Sequence, residues 1–216
     1  MALTPQEIRN SPDFKLIRQL DHDGIIDFVT EQLKQLRWPM TFFYGFSIML
    51  IALIISFTAG NVANAYISWG TYWLYLFAGL VAGMVLVIPL HEVIHGLAYR
   101  LVGARKVKYG ADLRQMLFYA SAPGFVAGKN EFYVVAFSPF VLINLFFLTG
   151  IIFGQIAVQW GSLVALFIHS TMCIGDFAMV NFFASFHREE VYTYDDKHEK
   201  TSYFFIKEGQ KDDPPM

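Results

Sequence analysis

The stretch "VLVIPLHEVIHGLAYRLVG", residues 85–103, decides how the rest of the chain is read. It opens as an apolar helix and then sets His91, Glu92 and His95 in the same run. An ionisable side chain at mid-bilayer costs upwards of about 2.5 kcal/mol, so three in one apolar segment call for a compensating function or partner. They do not simply surface at a helix end. "GLAY" directly after His95 is still apolar, and seven residues separate His95 from the expected C-terminal stop at Gly103. Pro89 removes one helix hydrogen bond and crowds the Val85 carbonyl, which favours a kink two residues before His91.

The bilayer context comes from where charge is missing. The chain is 55% hydrophobic and 16% charged, and the few charges are segregated. No Lys or Arg lies between Arg37 and Arg100, or between Lys129 and Arg188, and the acidic residues inside those gaps are Glu92, Glu131 and Asp176. Such runs exceed the roughly 20 apolar residues that cross a bilayer. Four spans are expected: Met40 to Ala59, Tyr72 to about Leu101, Phe132 to Gly154, and Val158 to Phe186. The loops at 60–71 and 155–161 are uncharged. Lys and Arg instead collect in the N-terminal segment, the loop from Arg100 to Lys129, and the tail. By the positive-inside rule those three regions face the cytoplasm.

The expected architecture is therefore an all-α integral membrane protein of the cell membrane, with four transmembrane helices and both termini cytoplasmic. Residues 1–39 form a cytoplasmic amphipathic segment, 40–186 the four-helix core, and 187–216 a cytoplasmic tail. Ile25, Ile26, Val29, Leu33 and Leu36 share a helical face, read as lying on the membrane surface. Trp38 and Pro39 mark an interfacial anchor and a break. "KVKYG" with "QMLFYASA", and "EVYTY" with "TSYFFIK", read as two short hairpins, and the closing "KDDPPM" as disordered. No cleavable signal pattern is visible, so the first span is expected to direct its own insertion. The basic residues are segregated, not in excess; the expected partners are lipid and a membrane-protein or peptide substrate, with no nucleic acid.

On a helix, His91 and His95 project together, one turn apart. That spacing lets two imidazoles hold one Zn2+, and Glu92 beside the first of them can act as a base toward water. Zinc lowers the pKa of water and polarises a carbonyl, which is the chemistry of peptide hydrolysis near neutral pH. A catalytic zinc usually has three protein ligands. Asp176 is the preferred third, since it lies twelve positions before Arg188 as His91 lies twelve before Gly103, which gives similar depths. His169 and Cys173 share its helix face and compete for the role, although His169 should sit about 10 Å farther outward, two turns away, which makes it the poorer ligand. Asn144, on the third span, is expected either to orient the site, to bind substrate backbone, or to make a helix–helix hydrogen bond.

An HExxH helix with an aspartate in a later span is similar to the arrangement in site-2-protease-type intramembrane metalloproteases. In size and layout the chain more closely resembles the small bacterial membrane proteins catalogued as putative zincin peptidases. "HEVIHGLAYR", "FYASAPGF" and "GDFAMVNFF" carry that resemblance, over roughly residues 70–190. It implies a zinc cofactor held by His91, His95 and Asp176, with Glu92 as catalytic base. It departs from the better-known proteases in reading "GD" for "DG" and in the longer "SPFVLIN" spacing. The expected activity is hydrolysis of membrane-embedded or membrane-adjacent peptide bonds near the cytoplasmic face. Two other classes compete: a metal or proton carrier, and an inactive protein that keeps metal as a structural staple. A structural site has no use for Glu92.

Overall fold

The computed structural model describes residues 3–62, 64–112, 117–196 and 200–208; "KDDPPM" lies outside them. The first helix, α1 (Pro5–Asn10), is capped by Thr4 in a reciprocal box with Glu7 and has Pro5 in its first turn. Strand β1 (Phe14–Asp21) and helix α2 (Ile25–Leu33) follow. Then come the long apolar helices. α3 (Trp38–Phe57) runs into a π-helical end and forms an apolar helix to Asn61. α4 (Trp69–Val81) and α5 (Val87–Leu101) are joined through a π-helical turn at Ala82–Leu86 into one 33-residue helix. The widened turn includes Val85, whose carbonyl Pro89 cannot bond, so the irregularity falls where the proline asks for it. α5 stops as expected: Gly103 takes φ +110°, and the Ala104 N–H returns to the Tyr99 carbonyl.

The chain continues through β2 (Lys108–Asp112), β3 (Leu117–Ser121) and β4 (Ala127–Gly128) into α6 (Lys129–Phe153), whose start is capped by the Glu131 carboxylate on the Gly128 N–H at 2.6 Å. α7 (Ile156–Met172), α8 (Ile174–Phe183), β5 (Val191–Asp196) and β6 (Thr201–Lys207) complete it. Among the described residues three helices are long and apolar enough to cross a membrane, or four if the bent pair α7–α8 is one span. Ile48, Ile55, Leu74, Phe77, Leu86 and Leu97 stand exposed on these helices, consistent with a membrane protein. α4 packs closely on α7, because a Cβ on Gly79 would meet the Gly161 carbonyl oxygen at 2.6 Å and Val164 at 2.9 Å.

The all-α expectation is corrected. A four-stranded antiparallel sheet runs in the order β1-β6-β5-β4, beside the separate β2–β3 hairpin. Both hairpins were legible as strand-like runs, with Gln115 and Met116 of the first outside the described residues. β1 was not, and it joins the N-terminal segment to the tail through pairs from Phe14↔Lys207 to Asp21↔Thr201, with an irregularity at Ile17. The α2 face also differs. Phe28 and Gln32 are its buried residues, while Ile26 and Leu36 are exposed. Phe28 meets Phe182 of α8 edge-on at 5.7 Å, and the Arg18 guanidinium of β1 lies over both rings. Protein therefore covers this side of the helix. Phe132 stacks on Phe183 at 4.4 Å, and Phe204 packs edge-on to Phe183, so the sheet, α6 and α8 share one core.

The expected fourth span is broken. α7 and α8 meet at Cys173 with a bend of 44°. Ser170, Thr171 and Cys173 each bond back to a carbonyl of the preceding turn, Leu166, Ile168 and His169 respectively. Side chains that compete for ladder carbonyls loosen a helix, and three within four residues account for the bend.

Candidate metal centre

α5 carries His91, Glu92 and His95 into a cavity of about 650 Å³. Its other walls are α8, which supplies Asp176, the β2–β3 hairpin, and residues of α2 and β5. His91 Nε2 lies 3.0 Å from His95 Nε2 and 3.3 Å from Asp176 Oδ2, while His95 Nε2 lies 3.3 Å from Asp176 Oδ1. The two ligand pairs that the i, i+4 spacing and the matched depths suggested are thus in one place. α8 starts only two residues before Asp176, so the bend at Cys173 aims the carboxylate at α5.

The proton positions on the imidazoles follow from their other contacts. His95 Nδ1 stands 3.0 Å from the Val135 carbonyl oxygen, which can only accept. Nδ1 therefore carries the hydrogen, and Nε2 presents its lone pair to His91 and Asp176. His91 Nε2, His95 Nε2 and the two oxygens of Asp176 thus face one another at 3.0–3.3 Å, a gathering of acceptor atoms that a cation or a proton among them would stabilise. Donor atoms each about 2.05 Å from a tetrahedral ion would be separated by about 3.3 Å.

Glu92 points to the same cavity but is not one of the converging atoms. The Ala120 backbone N–H of β3 hydrogen-bonds its carboxylate. Its Oε2 is buried with no hydrogen-bond partner among the described residues. A carboxylate oxygen left bare in a buried site is costly, and is found where function employs it.

A second group forms behind His91. Its Nδ1 lies 3.3 Å from His169 Nε2, which lies 3.6 Å from Cys173 Sγ. These three could also hold an ion. His169 is thus far closer than a straight helix allows. The bend at Cys173 and the reach of two imidazoles close the gap. The group contains neither His95 nor a free carboxylate, and neither His169 nor Cys173 lines the cavity with Glu92. Asn144 is buried with its amide on His169 Nδ1 at 2.8 Å and Ser170 Oγ at 3.0 Å. It does not line that cavity but a second, apolar one with Leu50, Phe140 and Leu166. The Val135 carbonyl and Ala120 N–H are backbone groups that no residue pattern reveals. Ser170 had a signal, in the polar run "HSTMC" inside an apolar helix.

Two imidazoles and a carboxylate around one point, with an uncommitted glutamate alongside, make the donor set of a zinc hydrolase. The chain belongs to the family described as "Putative zincin peptidase", whose model matches residues 84–191, a stretch that contains all four residues. That family is one of metallopeptidases, and membership implies a zinc cofactor. No curated protein and no solved structure matches the chain. The residues present fit zinc: one imidazole whose Nδ1 proton is held by a backbone carbonyl, a second imidazole one turn away, a carboxylate to offset charge, and donor separations near the tetrahedral value.

Proposed function

We propose that this protein is a zinc-dependent membrane metallopeptidase that hydrolyses peptide bonds of membrane-embedded or membrane-adjacent substrates near the cytoplasmic face. His91, His95 and Asp176 would hold the zinc. The observation that carries the reading is the placing of the bare Glu92 Oε2 in the same cavity as the three converging donors.

Zinc, when bound, supplies a Lewis acid that lowers the pKa of water and polarises a carbonyl. The chain's own contribution is positional. The Ala120 N–H anchors the Glu92 carboxylate, which leaves Oε2 to take a proton from water and to return it to the departing amine nitrogen. The Val135 carbonyl keeps His95 in the tautomer that a ligand needs. The cavity is large enough for a short extended peptide segment, and β3 forms one of its walls beside Glu92.

The apolar helices and the loop charges support a multi-pass location with both termini cytoplasmic, in the manner of site-2-protease-type enzymes. A carrier reading is weaker on the same geometry. A relay needs ionisable groups in succession across the bilayer, whereas the run of titratable groups from Asp176 through His91 ends at His169, which is fully buried against Asn144 and Cys173. The test is zinc content and cleavage of a candidate membrane substrate by wild type and Glu92→Gln. Cleavage lost with zinc retained supports the reading, and wild-type cleavage by the variant defeats the mechanism.

A further inference from the structure

We propose that His169 and Asn144 are positioning residues that fix which nitrogen of His91 carries the proton, so that Nε2 is free for the metal. The inference rests on the zinc reading above and deepens it.

The chain of hydrogen bonds has a direction set at its far end. Ser170 Oγ lies 2.7 Å from the Leu166 carbonyl, one turn back on α7, and 3.3 Å from Asn144 Oδ1; its single proton goes to the nearer acceptor, Leu166. The hydroxyl must then accept from Asn144 Nδ2, at 3.0 Å. That orients the amide and leaves Asn144 Oδ1 toward His169 Nδ1, at 2.8 Å. An amide oxygen only accepts, so His169 Nδ1 is the protonated nitrogen and His169 Nε2 carries a lone pair. This lone pair faces His91 Nδ1 at 3.3 Å, so His91 Nδ1 donates and its Nε2 is left bare. That bare nitrogen is the one 3.3 Å from Asp176 Oδ2.

The opposite assignment reverses the bonds from Asn144 to His91 and takes the Ser170 proton away from Leu166. If His169 Nε2 held the proton, His91 Nδ1 would accept it and His91 Nε2 would be protonated, facing His95 Nε2 and Asp176 as a donor and unable to ligate. The path from Leu166 to His91 lies in α6, α7 and α5, and His169, Ser170 and Asn144 are all buried, so water does not compete for these bonds. His95 has its proton placed by a backbone carbonyl, whereas His91 needs side chains for the same task. Outer partners of this kind are typically worth about 10- to 100-fold in metal affinity.

The experiment uses the full chain in detergent, with zinc affinity read by chelator competition and the ligand field read by cobalt substitution. His169→Phe fills the space without an acceptor and should bind zinc about 10- to 100-fold more weakly. His169→Gln offers Oε1 to His91 Nδ1 and an N–H to Asn144, and should recover most of the affinity and the wild-type cobalt spectrum. Asn144→Leu should behave like His169→Phe, and Asn144→Asp should be the milder change. A purely packing role would favour Phe over Gln, so the opposite ranking overturns the proposal, as does wild-type affinity in His169→Phe. A measurement on the unmutated, zinc-loaded chain guards against misfolded variants: long-range 1H–15N spectra should show His169 protonated at Nδ1, and protonation at Nε2 overturns the proposal. Two zinc ions per chain, one of them lost in Cys173→Ser, would make His169 a ligand and overturn it too. Failure of the zinc reading looks different: wild type would hold no zinc, or Asp176→Asn would hold it as well as wild type.

Discussion

His91 Nε2 and Asp176 Oδ2 stand 3.3 Å apart, although all of α6 and α7 separates them in the chain. The contact exists because α8 begins anew at Ile174, so Asp176 sits in a first turn angled 44° away from α7. A straight fourth helix would carry His169 and Asp176 at depths about 10 Å apart, and both could not reach His91.

The ligand assignment predicts how zinc divides among single variants. His91→Ala and His95→Ala should lose most of their zinc, and Asp176→Asn should lose more than the roughly 10- to 100-fold expected of an outer partner. Glu92→Gln should keep its zinc and fall about 10²- to 10⁴-fold in hydrolysis. Metal analysis and chelator competition on the purified variants check this; equal retention by all of them contradicts it.

Orientation predicts labelling. In a Cys173→Ser background, cysteines at Asn64 and in the turn near Gly161, at the exposed Gln155, should react with impermeant reagents from outside the cell. Those at Lys106 and Lys200 should not. The reverse pattern would move the catalytic cavity to the opposite face.

Close approach of α4 and α7 predicts a packing defect. Gly79→Ala places a methyl 2.6 Å from the Gly161 carbonyl oxygen, a backbone atom that cannot turn aside. The expected loss is about 1–3 kcal/mol, seen as a lower midpoint of unfolding in detergent. Gly45→Ala on α3, where a Cβ would meet nothing within 4 Å, is the control and should be close to neutral.

The pair Arg18 and Glu31 ties β1 to α2 at 2.7 Å, and the Arg18 hydrogen bond holds the Glu31 carboxyl below its usual range against a smaller opposing effect of burial. A lowered carboxylate pKa gives stability that is fully present above the unfolded value of about 4.3 and is lost as pH falls through the folded one. Glu31 is 44% exposed, so solvent screening limits the contribution to under about 1 kcal/mol. Glu31→Gln should therefore be slightly less stable than wild type at pH 7. The difference should begin to shrink as pH falls below the unfolded value and vanish below the lowered folded one, and unfolding midpoints across that range decide the matter.

How much was legible follows from what each feature depends on. The apolar helices, the two histidines and the stop at Gly103 depend on local pattern, and the chain shows them where that pattern puts them. β1 was hidden because "FKLIRQLD" alternates poorly and becomes a strand only by pairing with β6, at the far end of the chain. His169 lies nearer His91 than its position along an unbroken helix implies, because α7 and α8 are bent apart at Cys173. The bend comes from the side-chain hydrogen bonds of Ser170, Thr171 and Cys173, polar residues that a hydropathy reading passes over. Asn144 was recognised as an odd residue in an apolar helix, but its direction was set by Ser170 and His169 on a neighbouring helix.

Two groups of side chains share His91, and the account stands on which of them holds the metal. X-ray absorption at the zinc edge of the purified, zinc-loaded wild type separates them directly. The His91, His95 and Asp176 centre predicts a first shell of nitrogen and oxygen alone, at about 2.0–2.2 Å, with multiple scattering from two imidazoles. A sulfur shell at about 2.3 Å would place the metal on His91, His169 and Cys173 and contradict the assignment.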